Sequence, residues 1–430
     1  MKFISTRGRA QAATLSEALR NGAAPDGGLY VPAELPEVEV AALDAEAPLA
    51  EFAASLLQPF FSGDELEPHL PAICSDAFDF PAPLVTPDPR HANLHALELF
   101  HGPTGAFKDF GARFLMACFD RIAGQRPLTV LAATSGDTGG AVGCAAERRS
   151  SVRAVILFPA GRVSPFQERQ LTCWGDNVLA IEVDSDFDEC QRLVKAAFAD
   201  ASLSAEHRLT SANSINIGRL LPQVAYAAQA ALRVFDATGK KPGFVVPSGN
   251  LGHGFAVLLA RAIGLPVGPV VLATNANRTL MDWHSTGRYE PRPSVQTLAN
   301  AMDVGNPSNF ERLSALPPEV RALRVELVSD EEIKARIVSE AREYVWCPHS
   351  ATAVEAWTRL SDAERSERPW IVAATAHPYK FAETVEPLIG RRIEPSSALA
   401  AILDRPQRKI RIGTNLDELR EALHSRAIAA

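Results

Sequence analysis

The sequence predicts an α/β protein in which parallel sheets are layered with helices. Three observations predict it. From about residue 95, short β-type runs alternate with helical stretches, the pattern of a parallel sheet. Two glycine-rich turns stand where a buried strand gives way to a helix. The 430 residues, 47% hydrophobic and 22% charged, supply enough apolar side chain for full cores, roughly two to four domains by length.

The elements follow in order. Residues 1–90 are rich in Ala, Leu, Glu and Pro, with helical patterning at 47–57 and 64–71 and loops at 21–28 and 81–89. They predict a mostly helical N-terminal region, closed by the Pro-rich polar run 86–90. Strands are predicted at 129–133, 154–158 (closed by Pro159) and 178–183. The first leads through 135–140 into a helix reaching Arg149, and the third into an amphipathic helix at 187–198. Residues 218–235 carry apolar residues at helical spacing. A strand at 244–246 runs through 248–254 into a helix ending near Ile263. Further strands are predicted at 270–273, 325–328 and 371–374. From Arg391 the chain holds basic residues at 405–411 and a helical pattern at 415–425.

Several classes are excluded. The net charge of −8 comes without any long basic block, so the footprint of a nucleic-acid binder is missing. The longest apolar stretch, 257–273, is interrupted by Arg261, Gly264, Pro266 and Gly268, short of the ~20 clean residues of a membrane span. Residues 1–20 carry Arg7 and Arg9 with no apolar run behind them, so no signal peptide is expected. The six cysteines (Cys74, Cys118, Cys144, Cys173, Cys190, Cys347) lack C-x-x-C spacing. They are expected as buried, reduced thiols in a cytoplasmic protein. His349 and His377 each adjoin a proline but assemble no ligand set, so no metal is expected.

The chemistry sits in the turns. Ser135-Gly136-Asp137-Thr138-Gly139-Gly140 and Ser248-Gly249-Asn250-Leu251-Gly252-His253-Gly254 share one design. Glycine lets backbone approach a ligand, and the unpaired N–H groups and dipole of a helix start attract anions. Neither is a Walker or G-x-G-x-x-G loop. Two anion cradles in one chain suggest a ligand pair carrying two acidic groups. The third feature is Lys108, between Phe107 and Phe110 in a run that begins His101-Gly102-Pro103-Thr104-Gly105. A lysine among aromatics loses hydration, which favours the neutral amine. Such an amine can condense with an aldehyde and afterwards act as a base. A snorkelling lysine at a helix start is the plainer alternative, but beside two cradles the balance favours pyridoxal phosphate.

At this point the residues resemble a family. His101–Gly111, Ala133–Gly140 and Pro247–His253 are similar in content and spacing to threonine synthases of the bacterial and fungal type. The resemblance extends through 5–8, 164–165, 211–216, 300–304 and 375–378. It implies the tryptophan-synthase-like fold (fold type II), a pair of open twisted sheets flanked by helices. The division implied is 1–90 as N-terminal region, 91–110 with 220–390 as a large cofactor-binding domain, 111–219 as a small domain, and 391–430 as a helical tail. It implies pyridoxal 5'-phosphate as cofactor, carried by Lys108. Gly249, Asn250, Leu251, Gly252 and His253 would hold the cofactor phosphate, and Thr375 would face the ring nitrogen. Leu251 and His253 depart from the family's usual Phe and Asp or Asn, which leaves backbone donors unaffected. Ser135, Gly136, Asp137, Thr138 and Gly139 would receive the substrate carboxylate. Arg162, Ser164, Asn213, Ser214, Asn216 and Arg219, with Lys380, are candidates for the substrate's own phosphate. The implied reaction turns O-phospho-L-homoserine and water into L-threonine and phosphate, in a monomer with a small-molecule substrate. The alternatives are a phospho-lyase releasing 2-oxobutyrate, a deaminase or β-replacement enzyme of the same fold, and a non-catalytic metabolite-binding paralogue.

Overall fold

In the computed structural model the alternation of strands and helices builds two separate parallel sheets; residues 1–175 and 177–425 are described. In chain order the strands are β1 (Phe3–Ser5), β2 (Tyr30–Pro32), β3 (Leu84–Val85), β4 (Leu94–Glu98), β5 (Leu128–Ala133), β6 (Val152–Pro159), β7 (Val178–Val183), β8 (Leu209–Thr210), β9 (Gly243–Pro247), β10 (Val270–Thr274), β11 (Arg324–Leu327), β12 (Trp370–Ala374) and β13 (Ile410–Ile412). One sheet has six strands in the order β11-β10-β9-β12-β4-β3, the other five in the order β13-β7-β6-β5-β8. All pairings are parallel in both, except that β3 runs antiparallel to β4. A third, two-stranded sheet pairs β1 with β2.

Helices on both faces explain the composition of the strands. Every residue of β5, β9, β10 and β12 is buried, as the inner strands of a doubly covered parallel sheet must be. The largest core joins Phe52, Leu56 and Phe60 of the Leu49–Phe61 helix to Phe110 and Phe114 of Lys108–Ile122, to Val224 of Leu221–Thr238, and to Val246 in β9. The N-terminal region therefore shares one core with the rest. A second core covers the opposite face of the six-stranded sheet, and a third that of the five-stranded sheet.

Three expectations shift. The pattern at 64–71 is not a helix that ends at Pro71. A 3₁₀ turn at Glu67–His69 leads into the Leu70–Ala77 helix, with Pro71 in its first turn. Proline lacks a donor that the first turn does not need, so it starts the helix. The C-terminal tail is not wholly helical. After the Ser397–Leu403 helix, β13 pairs with β7, Ile412 opposite Val183, and the Leu416–His424 helix packs Leu419 and Leu423 into the third core. The last five residues of the expected tail, 426–430, lie outside the described residues. Of the six free cysteines five are buried, but Cys144 is only half-buried. Among the described residues no helix is long and apolar enough to cross a membrane.

Candidate active site

The carboxyl ends of β5, β9 and β12 open toward one cavity of about 260 Å³ between the two sheets, the place where parallel α/β sheets bind ligands. Lys108 lies at its wall. It is the first residue of the Lys108–Ile122 helix. The turn before it is fastened to the end of β12. The Phe107 N–H donates to the Thr375 carbonyl at 2.9 Å, and the His377 N–H to the Gly105 carbonyl at 2.9 Å. Lys108 and Thr375 are thus brought together by backbone pairing across 267 positions of sequence. Asp109, fully buried, accepts from the Thr104 N–H (2.9 Å) and hydroxyl (2.6 Å), which fixes the same turn.

Withdrawal from water lowers the Lys108 ammonium from its usual value to about 8; Asp137 opposes this, while Arg219 and Lys380 add to it. A helix N-terminus disfavours a cation as well. The neutral amine is therefore accessible near neutral pH. Its Nζ stands 5.7 Å from the Phe107 ring centroid, and the Phe107 ring stacks with His253 at 4.8 Å between centroids. Burial pushes His253 down to about 3, so that ring is neutral.

The second glycine turn is held open by side chains. Asn250 Nδ2 donates to Ser214 Oγ at 2.8 Å, Asn250 Oδ1 accepts from the Ser308 N–H at 2.5 Å, and Asn309 Nδ2 reaches the Asn250 carbonyl at 3.0 Å. Leu251 takes a left-handed conformation, φ +64°, costly for a leucine. It precedes the Gly252–Ala262 helix, whose N-terminus has no side-chain cap. The donors of the first turn are left for a ligand. A Cβ at Gly249 would stand 2.7 Å from Met302 Cα, so only glycine fits between the turn and the 300–304 segment. That segment is held by His349 Nε2, which accepts from the Ala301 N–H at 3.0 Å. Burial lowers His349 to about 4, which keeps that nitrogen an acceptor; Asp137 opposes, and Lys108 and Lys380 add.

The first turn differs. Thr134 Oγ1 accepts from the N–H groups of Gly136 (3.0 Å) and Gly139 (2.9 Å). Ser135, Asp137 and Thr138 line the cavity; Gly136 and Gly139 do not. Gly136 sits at φ +136°, and a Cβ there would meet the Gln167 amide at 2.6 Å. Asp137 pairs with Lys380 Nζ at 3.1 Å and accepts from Gln167 Nε2 at 3.1 Å. Burial would raise this carboxyl, but Lys380 and Lys108, with His349 and Gln167, outweigh it and hold it far below the ordinary carboxylate range.

The expected phosphate group divides. Asn213, Ser214 and Arg219 line the cavity. Arg219 is buried; one of its nitrogens donates to the Ala212 carbonyl, while Nε has no partner. Burial lowers its guanidinium to about 10, with Asp109 and Tyr226 opposing, and it stays charged. No carboxylate forms an ion pair with it among the described residues. Asn213 Nδ2 donates to the Ala133 carbonyl at 3.1 Å. Asn216, by contrast, is consumed by structure: it donates to the Leu19 and Ser211 carbonyls and accepts from the Gly218 N–H. Ser164 caps the Pro165–Thr172 helix in a capping box with Gln167, which is ordinary work for a serine before a proline-started helix. Arg162 is exposed. None of these three lines the cavity, and neither does Lys380, whose ammonium is used on Thr104 O (2.7 Å), Gln170 Oε1 (2.5 Å) and Asp137. Thr375 lines the cavity; its N–H donates to Ser350 Oγ at 3.0 Å.

Three contributors lay outside the sequence expectations. Ser350 steadies Thr375. Arg312, fully buried, donates to the carbonyls of Tyr30, Ser214 and Ile215 and to Asn309 Oδ1, so the N-terminal region braces the site. Gln191, Val194 and Lys195 of the Phe187–Ala199 helix line the cavity from the five-stranded side. Only the amphipathic period of that helix was visible in sequence, and it does not say what the helix faces.

A lysine with a lowered pKa, an uncapped helix start behind a glycine turn, and the Thr375 hydroxyl residue on the wall of the same cavity together fit pyridoxal phosphate. The family of pyridoxal-phosphate dependent enzymes matches residues 80–375, and the chain is an enzyme of that class. The threonine synthase N-terminus matches residues 2–78, and the threonine synthase C-terminal region residues 350–423. A threonine synthase of Serratia marcescens is 38% identical, covering 98% of this chain and 99% of its own. The crystal structure of threonine synthase from Escherichia coli superposes with a TM-score of 0.90 at 35% identity, covering 98% and 99%. The pyridoxal-phosphate-bound threonine synthase from Brucella melitensis gives 0.90 at 34% identity over the full length of both chains. The chain belongs to the threonine synthase family.

Proposed function

We propose that this chain converts O-phospho-L-homoserine and water into L-threonine and phosphate, the last step of threonine biosynthesis. Arg219 carries the proposal: a buried guanidinium without a carboxylate partner, lining the same cavity as Lys108. Such a cation suits a phosphate, which it can bind with paired, charge-assisted hydrogen bonds. Asn213 and Ser214 line the same cavity.

Gly249 to His253 would hold the cofactor phosphate, and Thr375 its ring nitrogen. When bound, the cofactor supplies a conjugated ring that spreads negative charge from the substrate carbons. The chain's own residues do the rest. Lys108, whose amine is about half neutral near pH 8, would take the proton from substrate Cα and return protons along the carbon chain. Ser135, Asp137 and Thr138 orient the carboxylate end, and Arg219 holds the phosphate until it leaves Cγ. Phe107, His253 and Leu251 limit water at the cofactor side. A cytoplasmic, monomeric enzyme is part of the proposal, supported by six scattered free thiols and the family resemblance.

The test is release of phosphate and threonine from O-phospho-L-homoserine by the holoenzyme, with its visible spectrum recorded. Arg219→Ala should raise KM by about 100-fold, the cost of losing a buried charged contact, with little change in cofactor affinity. Equal loss of both would move Arg219 to the cofactor. Release of 2-oxobutyrate in place of threonine would instead assign a phospho-lyase.

A further inference from the structure

We propose that Glu206, His207 and His424 form a site for one divalent transition-metal ion of the zinc class, fastening the C-terminal helix to the five-stranded sheet layer. The site lies apart from the cavity described above: none of the three residues lines it.

The three side chains each offer a ligand atom, all within 4.8 Å of one another. They come from different parts of the chain. Glu206 and His207 end the Ala201–His207 helix, and His424 ends the Leu416–His424 helix. Zinc bonds of about 2.0–2.2 Å in tetrahedral array put ligand atoms roughly 3.3 Å apart. The observed spread therefore needs only small side-chain adjustments, and these residues are at the surface or half-buried.

The hydrogen bonding favours a metal over a chance cluster. His424 Nδ1 faces the Arg420 carbonyl at 2.7 Å. Only an N–H can make that contact, so Nδ1 carries the proton and Nε2 keeps the lone pair when the ring is neutral. This is the arrangement in which a backbone carbonyl orients a metal-bound histidine. Nε2 then faces Glu206 Oε1 at 2.9 Å, two electron-pair donors with a cation needed between them. A second proton on the ring can fill that role, and so can a metal. His207 distinguishes the two, because a proton on His424 does nothing for it. Its ring lies edge-on to His424 with centroids 4.9 Å apart, and its Nε2 is buried with no hydrogen-bond partner. A metal would satisfy His207 Nε2, His424 Nε2 and Glu206 together, leaving a fourth position for water. Two imidazoles and one carboxylate select a borderline ion such as zinc over magnesium or calcium. The nearby cation Arg420 is itself paired with Asp200, which limits its repulsion. Arg153 also acts on His207 and sets an upper limit on affinity.

The test uses the full-length holoenzyme, stripped with a chelator and titrated with Co²⁺, then Zn²⁺. The proposal expects one equivalent of Co²⁺ with the intense visible bands of tetrahedral coordination, displaced by Zn²⁺. It also expects Zn²⁺ to raise Tm. His207→Ala and His424→Ala should each weaken Co²⁺ binding at least tenfold and remove the Zn²⁺ shift in Tm, with turnover unchanged. Glu206→Gln, which keeps the size of the side chain, provides the same comparison without a cavity. Wild type that binds Co²⁺ no more tightly than the His207→Ala, His424→Ala double variant would overturn the proposal, as would a Zn²⁺ shift that survives in that variant.

Discussion

The two glycine turns look alike in sequence and behave differently in the fold. Both follow a buried strand and open a helix. At 248–254 the helix start has no side-chain cap, and its frame is built from outside by Ser214, Ser308 and Asn309 holding Asn250. At 135–140 the Thr134 hydroxyl already occupies two of the N–H groups, and Asp137 puts a negative charge at the helix start. The first arrangement leaves donors free, which on the proposed reading would serve the cofactor phosphate. The second is part-occupied and electrostatically shared with Lys380, and on the same reading would receive the substrate carboxylate. Similar glycine patterns thus differ in the donors that neighbouring side chains leave free.

Substitutions can separate the two turns. The largest effect is expected at Lys380→Met. Removing Lys380 takes away the ion-pair partner of a buried carboxylate and leaves Asp137 with Gln167 and the weaker pull of Lys108 and His349, at about 3–5 kcal/mol, measured by urea unfolding. The pH dependence follows from the direction of the shift. In the wild type the Asp137 pKa is depressed, so its stabilising share is complete above the unfolded value of about 3.9 and is lost only as pH falls through the lower folded value. Without Lys380, burial raises that pKa and the neutral form is favoured. The stability deficit of the variant should therefore shrink as pH is lowered from 8 to 5; a deficit independent of pH would remove Asp137 from the explanation.

Gly249→Ala comes next and acts on the other turn. Its Cβ has no room beside Met302, and a displaced turn should cost on the order of 100-fold in turnover. The cofactor dissociation constant should rise in parallel, read by spectroscopic titration. Thr134→Val should cost about 1–3 kcal/mol, because two buried N–H groups lose their acceptor, yet cofactor affinity should hold. Loss of cofactor there would erase the distinction between the turns. The smallest effect is expected at Ser164→Ala, about 1 kcal/mol for a lost cap, with KM for O-phospho-L-homoserine unchanged. A KM raised tenfold would return Ser164 to the substrate.

Much of this was legible in the sequence because it is local. The inner strands β5, β6, β7, β9, β10 and β12 announce themselves as short apolar runs before turns, since burial on both faces leaves few polar positions, among them Thr129, Arg153, Glu182 and Thr274. The two-residue strands β3 and β8 carry no such signal, and β13 exists only because β7 offers an edge. At the site, Lys108, both turns and Thr375 were named from their motifs. Asn216 and Ser164 sit in equally distinctive motifs but do not line the cavity, because Asn216 holds a turn and Ser164 caps a helix; Arg162, two residues before the 164–165 motif, is exposed.

The sequence by itself determined the class of fold and the family, and it singled out Lys108, because these depend on periodicity and on residues close together along the chain. Only the tertiary structure decided that Lys380 belongs to Asp137, that Arg219 is left without a carboxylate, and that Arg312 ties Tyr30 to Ser214. Those are pairings of buried charges and donors across hundreds of residues. Their partners are set by which surfaces pack together, a property of the whole core.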